Sequence, residues 1–327
     1  MFISFDNGAH WQPFQLNLPN VPVSDIKVHH NDLIVTTQGR AFWILDNVTS
    51  LHQITSQSSV SEVVLFKPRD GYRTRVSPAN LGPAIEYYLP QAPVGPVIME
   101  VLDSKGTLVN SYNSDGPQPG GGRGARGAGM PGVGGAGPES QPEDPDAAPG
   151  RRFGGPPPRP TKQVGINRFV WDVRHQAGVT LPPGQYQARL KVGDKTLTRM
   201  FNVLIDPRVA EDGVTLADLQ EQYEHNLRMR EMVTTVNQLV TRVRDAQNKS
   251  NSSIDPNRLN AIAAKLLTEP VRYGKPGLQA HITYLAGMTA NVDQKIGRDA
   301  IARYEVLKRE LEIVKAEVEQ LLGPPTN

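Results

Sequence analysis

Apolar and polar positions alternate in steps of two through much of the first two-thirds of the chain, then switch to helical spacing. Val97, Met99 and Val101 alternate with their neighbours, as do Phe169, Trp171 and Val173, then Tyr186, Ala188, Leu190 and Val192, then Leu197, Phe201, Val203 and Ile205. A period of two over runs of this length predicts half-buried strands. Asp103-Ser104-Lys105-Gly106 and Gly193-Asp194-Lys195 supply tight turns between them. About six or seven short strands over 84–206 predict a small immunoglobulin-like β-sandwich. Glu86-Tyr87-Tyr88 reads as an edge strand with one tyrosine inward, and Trp171-Asp172 as a core indole beside a solvent-facing carboxylate.

The sandwich is interrupted. Residues 114–163 are rich in Gly and Pro, as in Gly120-Gly121-Gly122-Arg123-Gly124 and Pro156-Pro157-Pro158, and have no apolar period. Such a segment cannot offset its ordering entropy, so it is expected to be a disordered insertion reaching about 40 Å as a flexible coil.

Residues 1–62 alternate short apolar stretches with turn signals: Val23–Val28, Asn31-Asp32, Leu33–Thr37, Gln38-Gly39-Arg40, Ala41–Leu45. An internal repeat is visible. Ser4-Phe5-Asp6-Asn7 aligns with Ile44-Leu45-Asp46-Asn47, an offset of forty residues from Asp6 to Asp46. That period matches one four-stranded propeller blade. The first copy has the pattern of an Asp-box, with Ser4, Asp6, Gly8 and Trp11 in place; the second has lost the Ser, Gly and Trp. The segment predicts one and a half blades, with Met1 inside a strand and further blades upstream. Residues 63–83, with Phe66-Lys67-Pro68-Arg69-Asp70, read as an extended connector.

The last segment, 207–327, changes period. Leu216, Leu219, Tyr223, Leu227, Val233, Val236 and Val240 keep helical spacing, with Thr215 as N-cap and Asp218 as its capping-box partner. Asn257–Thr268 and Leu278–Thr289 predict two shorter helices. Ala300, Tyr304, Leu307, Leu311, Val314, Val318 and Leu321 predict a fourth with a heptad stripe, ended by Gly323-Pro324-Pro325. These helices predict a C-terminal antiparallel bundle. The fold class is thus multidomain, β then α: partial propeller blades, a sandwich with an insertion, and a helical bundle.

Composition narrows the chemistry. The 327 residues contain no cysteine, which excludes disulfides, Fe–S clusters and thiol catalysis. A net charge of +2 provides no broad pull toward nucleic acid or anionic lipid. Gly122-Arg123-Gly124 and Arg126-Gly127 resemble RNA-binding tracts, but Asp115, Glu139, Glu143, Asp144 and Asp146 neutralise the segment, so no nucleic-acid partner is expected. No apolar run reaches the length of a membrane span.

No candidate site rises to a catalytic constellation. The Asp-box roles are structural: Asp6 caps turn amides, Gly8 permits the backbone geometry and Trp11 packs between blades. His10, His29, His30 and His52 lack metal-site spacing, and His29-His30 reads as a hairpin tip. Asp6, Asp25, Asp32, Asp46 and Glu62 are the carboxylates from which a glycoside-hydrolysing pair would have to come. No nucleophile elbow, P-loop or dinucleotide fingerprint is present. No catalytic, metal or cofactor-binding residue, and no cofactor, is expected.

Taken in order, Ser4–Trp11, Val23–His29, Asn31–Asp46, Phe66-Lys67-Pro68-Arg69, Asn167–Arg174, Pro183-Gly184-Gln185-Tyr186 and Asp206-Pro207-Arg208 resemble the C-terminal part of large bacterial BNR/Asp-box propeller proteins, often labelled sortilin-like or glycosyl hydrolases. The resemblance implies export to the periplasm or cell exterior. It also implies upstream blades as partners and a non-catalytic scaffold that binds protein, peptide or glycan. The alternative it leaves open is the tail of a glycoside hydrolase or peptidase whose active site lies in the upstream blades. Self-association through the C-terminal heptads is a further expectation.

Overall fold

A computed structural model describes residues 1–54, 62–75, 82–116, 158–248 and 254–324. The order is β then α, as the change of period predicts. The chain divides into two compact units, one holding all the described strands and one formed by residues 177–182 and the helices from Pro207 onward.

The strand-bearing unit begins with a hairpin of β1 (Phe2–Ile3) and β2 (Gln12–Pro13). An antiparallel sheet of β3 (Val23–His29), β4 (Asp32–Thr37) and β5 (Phe42–Leu45) follows, in that order. His30 and Asn31 both have positive φ, the signature of the tight primed turn that a two-residue hairpin requires. The reading of His29-His30 as a hairpin tip agrees with this turn.

Beyond β5 the degenerate second repeat does not form another hairpin. Asn47 takes a positive φ, and Leu51–Gln53 forms a single 3₁₀ turn. The Gln53 side chain then bonds both the amide and the carbonyl of Lys67. Among the described residues this sheet therefore has three strands, where a full blade would have four.

The segment read as a connector is partly strand. β6 (Val64–Leu65) and β7 (Gly71–Arg73) pair into two larger sheets. One has the order β10–β9–β12–β13–β7, from β9 (Val97–Asp103), β10 (Leu108–Asn113), β12 (Gly184–Val192) and β13 (Lys195–Ile205). The other has the order β11–β8–β6, from β8 (Ala84–Leu89) and β11 (Gly165–Val170). The Glu86-Tyr87-Tyr88 strand is consequently central rather than at an edge, because Val64 and Leu65 pair with Tyr88 and Tyr87.

The two sheets meet through aromatic rings. Tyr112 lies 4.9 Å from Phe169, and Trp171 lies 5.2 Å from Tyr186 and 5.9 Å from Phe201, centroid to centroid. Tilted and edge-to-face pairs of this kind add to the burial of the rings themselves. Tyr87, Met99, Val101, Trp171 and Ala188 are fully buried, matching the alternation that predicts the strands. Asp172 remains exposed and accepts a hydrogen bond from the Tyr112 hydroxyl at 3.0 Å.

The expected disorder falls on residues 117–157, which lie outside the described residues. The ends of the insertion are tied down. Lys162 pairs with Asp115 at 2.8 Å, Arg159 donates to the carbonyl of Gly116, and the Tyr87 hydroxyl donates to the carbonyl of Thr161. The first two contacts join the ends of the insertion to each other, and the third ties its second end to β8.

The helical unit contains α1 (Pro207–Glu211), α2 (Leu216–Asn248), α3 (Pro256–Leu266), α4 (Leu278–Ala290) and α5 (Arg298–Leu322). The predicted capping box forms: the Thr215 amide and hydroxyl both donate to the Asp218 carboxylate, and the Asp218 amide donates back to the Thr215 hydroxyl. At 33 residues α2 is about 50 Å long, at 1.5 Å per residue. Its core face, with Met229, Val236, Leu239 and Val243, meets Ile262, Ile282, Leu307, Leu311 and Val318.

An antiparallel bundle describes the pairs α2–α4 and α3–α5 but not the whole unit. Gln222 reaches the carbonyl of Thr289 and Gln279 reaches Asn237, so α2 and α4 run antiparallel. Lys265 pairs with Glu317 and Arg258 bonds Gln320, so α3 and α5 do too. His225 packs on Tyr304 while Arg242 bonds the carbonyl of Gly323, so α2 and α5 run parallel. The two short helices, α3 and α4, together return the chain along the length of the long one. The α5 heptad stripe (Tyr304, Leu307, Leu311, Val314, Val318) is buried inside this unit.

Candidate functional site

The Asp-box residues occupy the turn of the first hairpin. Ser4 donates from its hydroxyl to Asp6 Oδ1 at 2.8 Å and accepts from the amide of Gly8 at 2.8 Å. Asp6 Oδ1 accepts from the amide of His10 at 2.9 Å, and Oδ2 lies 2.5 Å from His10 Nδ1. Asn7 and Gly8 both carry positive φ, and at 92° the glycine is in a region that side chains rarely adopt. Trp11 Nε1 donates to the carbonyl of Gly8 at 3.0 Å, which fixes the indole plane.

These bonds decide what Asp6 can do. The backbone and side chain of His10, followed by the Ser4 hydroxyl, lower its pKa to about 2. A carboxyl held that far below neutrality does not serve as a general acid near pH 7. In the turn it accepts from the His10 amide and the Ser4 hydroxyl and pairs with the His10 ring.

Of the other candidate carboxylates, those of Asp32, Asp25 and Glu62 are also engaged, while Asp46 is held through its backbone carbonyl. Asp32 accepts from Arg69 and from the amide of Asn47, both at 2.8 Å. Asp25 caps the amide of Ile26, the carbonyl of Asp46 accepts from Arg168, and Glu62 lies 3.6 Å from Lys195. None of these contacts brings two of the candidates together as an acid–base pair. Among the described residues, no three His, Asp or Glu side chains are grouped so as to hold a metal ion.

One carboxyl escapes the sequence reading. Glu86 is buried, and desolvation raises its pKa against the opposing effects of the Ser50 hydroxyl and the Arg168 and Arg69 cations. Arg69 and Arg168 also bind the three-stranded sheet, through His30 O and Asp32 and through Asp46 O. Glu86 thus belongs to a polar junction between that sheet and the larger ones. Nothing in its local sequence marks its burial or its partners.

The feature that local hydrogen bonding does not account for is apolar exposure on the three-stranded sheet. Residues paired directly across neighbouring strands share a face. The register places Ile26, Val35 and Trp43 in one row and Val28, Leu33 and Leu45 in the next, all on one face. Lys27, Ile34 and Ile44, then Asp25, Thr36 and Phe42, form rows on the other. Ile26 is 51% exposed and Val28 58% on the first face; Ile44 is 60% and Phe42 72% on the second. Beside the first face, Met1, Phe2, Trp11, Val23 and Ile26 line an open apolar groove.

No described helix is long and apolar enough to cross a membrane. No family model matches the sequence, and no curated protein matches it. Among solved structures, PorZ is similar in part; it is described as an essential bacterial surface component of the type-IX secretion system of human oral-microbiomic Porphyromonas gingivalis. The TM-score is 0.17 at 16% identity, over 56% of this chain and 23% of that chain. The chain spans less than a quarter of that chain's length, and at this score the likeness carries no weight for fold or function. By its own elements, the chain is a strand-rich unit followed by a helical one, with an apolar groove and a two-faced sheet as its candidate site.

Proposed function

We propose that this chain is a non-catalytic interaction region of an exported propeller-type protein, with the β3–β5 sheet as a blade that further blades cover on both faces. The observation that carries the reading is the exposure of Ile26 and Val28 on one face together with Ile44 and Phe42 on the other. A single solvated sheet normally hides one face and presents a polar one. A sheet that exposes large apolar side chains on both faces, even with Asp25, Lys27 and Thr36 beside Ile44 and Phe42, is suited to sit between two layers about 10 Å away.

The Asp-box hydrogen bonds support the same reading. They leave the Trp11 indole pinned at its nitrogen and exposed on its apolar surface, beside the groove. The two aromatic-packed sheets take the place of the immunoglobulin-like module, and the polar junction of Asp32, Arg69, Glu86 and Arg168 holds the blade against them. The ligand class of the whole protein would be protein, peptide or glycan.

The test compares this chain with a longer one that includes the residues encoded upstream in the same frame. Apolar-dye emission per mole is expected to fall in the longer protein, because Phe42, Ile44, Ile26 and Val28 become covered. Equal or greater emission would refute the blade reading. A glycoside or peptide panel cleaved by this chain, with loss on a single carboxylate substitution, would refute the non-catalytic reading.

A further inference from the structure

His225 lies on the core side of α2 and is 1% exposed, yet neither ring nitrogen has a hydrogen-bond partner. Its ring packs on that of Tyr304 from α5, 5.6 Å between centroids and tilted by 63°. The side-chain donors beside it on α2 are committed elsewhere, and Asn226 Oδ1 is, like the imidazole, buried without a partner. Gln222 donates to the carbonyls of Thr289 and Val292, and Asn226 donates to the carbonyl of Thr289, so both cap the C-terminal end of α4.

The charged surroundings offer a proton no compensation. On α2 itself, Arg228 places its guanidinium 5.5 Å from the centre of the same Tyr304 ring. Glu221 and Glu224, also on α2, are exposed, and Gln220 occupies one Glu224 oxygen. On α5 the neighbours of Tyr304, Arg303 and Glu305, are exposed. Between Leu278 and Ala290, α4 has no Asp, Glu, Lys or Arg, and its own His281 lies in the first turn, away from the Thr289 end. In the following loop, Lys295 is directed to Asp218 at 3.9 Å, and the half-buried carboxylate of Asp293 makes no ion pair with His225. No carboxylate forms an ion pair with His225 among the described residues.

We propose that His225 is an acid-sensitive latch, in which uptake of one proton loosens the packing of α5 on α2 around Tyr304. A buried imidazole without partners is tolerated while neutral, but a buried imidazolium without an anion is costly. Two effects act in the same direction: burial lowers the pKa of His225, and the nearby Arg228 cation lowers it further. The sign follows from the folded form rejecting a proton that the unfolded form accepts. Stability is fully present above the ordinary value of 6.5 and is lost as the pH falls below it toward the lowered folded value.

The test uses the full chain. Thermal and denaturant unfolding of the helical signal at 222 nm is followed from pH 8 to pH 5 in the wild type, His225→Leu and His225→Gln. Below about pH 6.5 the wild-type unfolding constant should rise by up to about tenfold per pH unit relative to either variant, the limit for one linked proton. Hydrogen exchange in the first turns of α5, corrected for intrinsic rates, should rise on acidification in the wild type alone. Parallel pH profiles in wild type and variants would overturn the proposal. If neither variant folds, the ring is titrated by NMR in the wild type. A His225 midpoint well below 6.5 supports the latch, and one at or above 6.5 refutes it.

Discussion

Phe42 offers a direct measurement of whether the exposed sheet faces serve the chain itself or something that covers it. A phenylalanine buries on the order of 200 Å² when fully covered. At 72% exposure, Phe42 has withdrawn only about 55 Å² from water, which at about 25 cal/mol per Å² is at most about 1.4 kcal/mol of folding stability. The remaining surface, about 145 Å², would contribute up to about 3.6 kcal/mol if a neighbouring layer covered it, several hundredfold in association. Phe201 is the internal reference: it is 2% exposed, and truncation there should cost about 3–5 kcal/mol. Phe42→Ala and Phe201→Ala are therefore compared by denaturant unfolding followed by tryptophan emission, since Trp43 is next to Phe42 and Trp171 packs on Phe201. Phe42→Ala should shift the midpoint by under half as much as Phe201→Ala, with the slope unchanged, and should reduce apolar-dye binding. Equal costs at the two sites, or dye binding that ignores Phe42, would refute the argument that this face is built for an outside layer.

Other consequences are open to similar tests. Leu307 is fully buried in the helical core, so Leu307→Ala should cost about 2–5 kcal/mol, whereas Ile313→Ala, at an exposed position on the same helix, should stay within about 0.5 kcal/mol; thermal melting at 222 nm separates them. A Cβ at Gly82 would fall 1.8 Å from the carbonyl oxygen of Trp171, so Gly82→Ala must push two backbones apart and should cost about 1–3 kcal/mol by denaturant midpoint. Glu86 has a raised pKa, so the stability its neutral form provides is fully present below its ordinary value of 4.5 and is lost as the pH rises through the folded value. Glu86→Gln should accordingly be more favourable at pH 7 than at pH 4, and a pH-independent difference would show that the group is not desolvated.

Much of this architecture was legible because period is a local property. Val97, Met99 and Val101 alternate, and they are buried; Tyr304, Leu307 and Leu311 follow helical spacing, and they face α2 and α3. The Thr215–Asp218 box and the His30-Asn31 turn were equally readable, since each bond joins residues a few positions apart. The connector was less so. Val64–Leu65 and Gly71–Arg73 are too short to show a period, and their partners lie far along the chain, at Tyr87–Tyr88 and Val203–Ile205. The forty-residue repeat aligns Asp46 with Asp6 as a degenerate box, but its copy lacks the Ser, Gly and Trp whose bonds hold the first turn, and there Gln53 ties the chain to Lys67.

By itself the sequence determined the β-then-α order, the strand faces, the helix starts and the residues of the first hairpin turn. All of these follow from contacts between near neighbours and from which side of an element is apolar. Only the tertiary structure decided the rest. It made Tyr87–Tyr88 a central strand and set α5 parallel to α2. It left Ile26 and Phe42 uncovered on opposite faces, and it enclosed Glu86 and His225 away from water. Burial and pairing at those positions depend on what arrives from tens or hundreds of residues away. A side chain's own sequence neighbourhood does not contain that information.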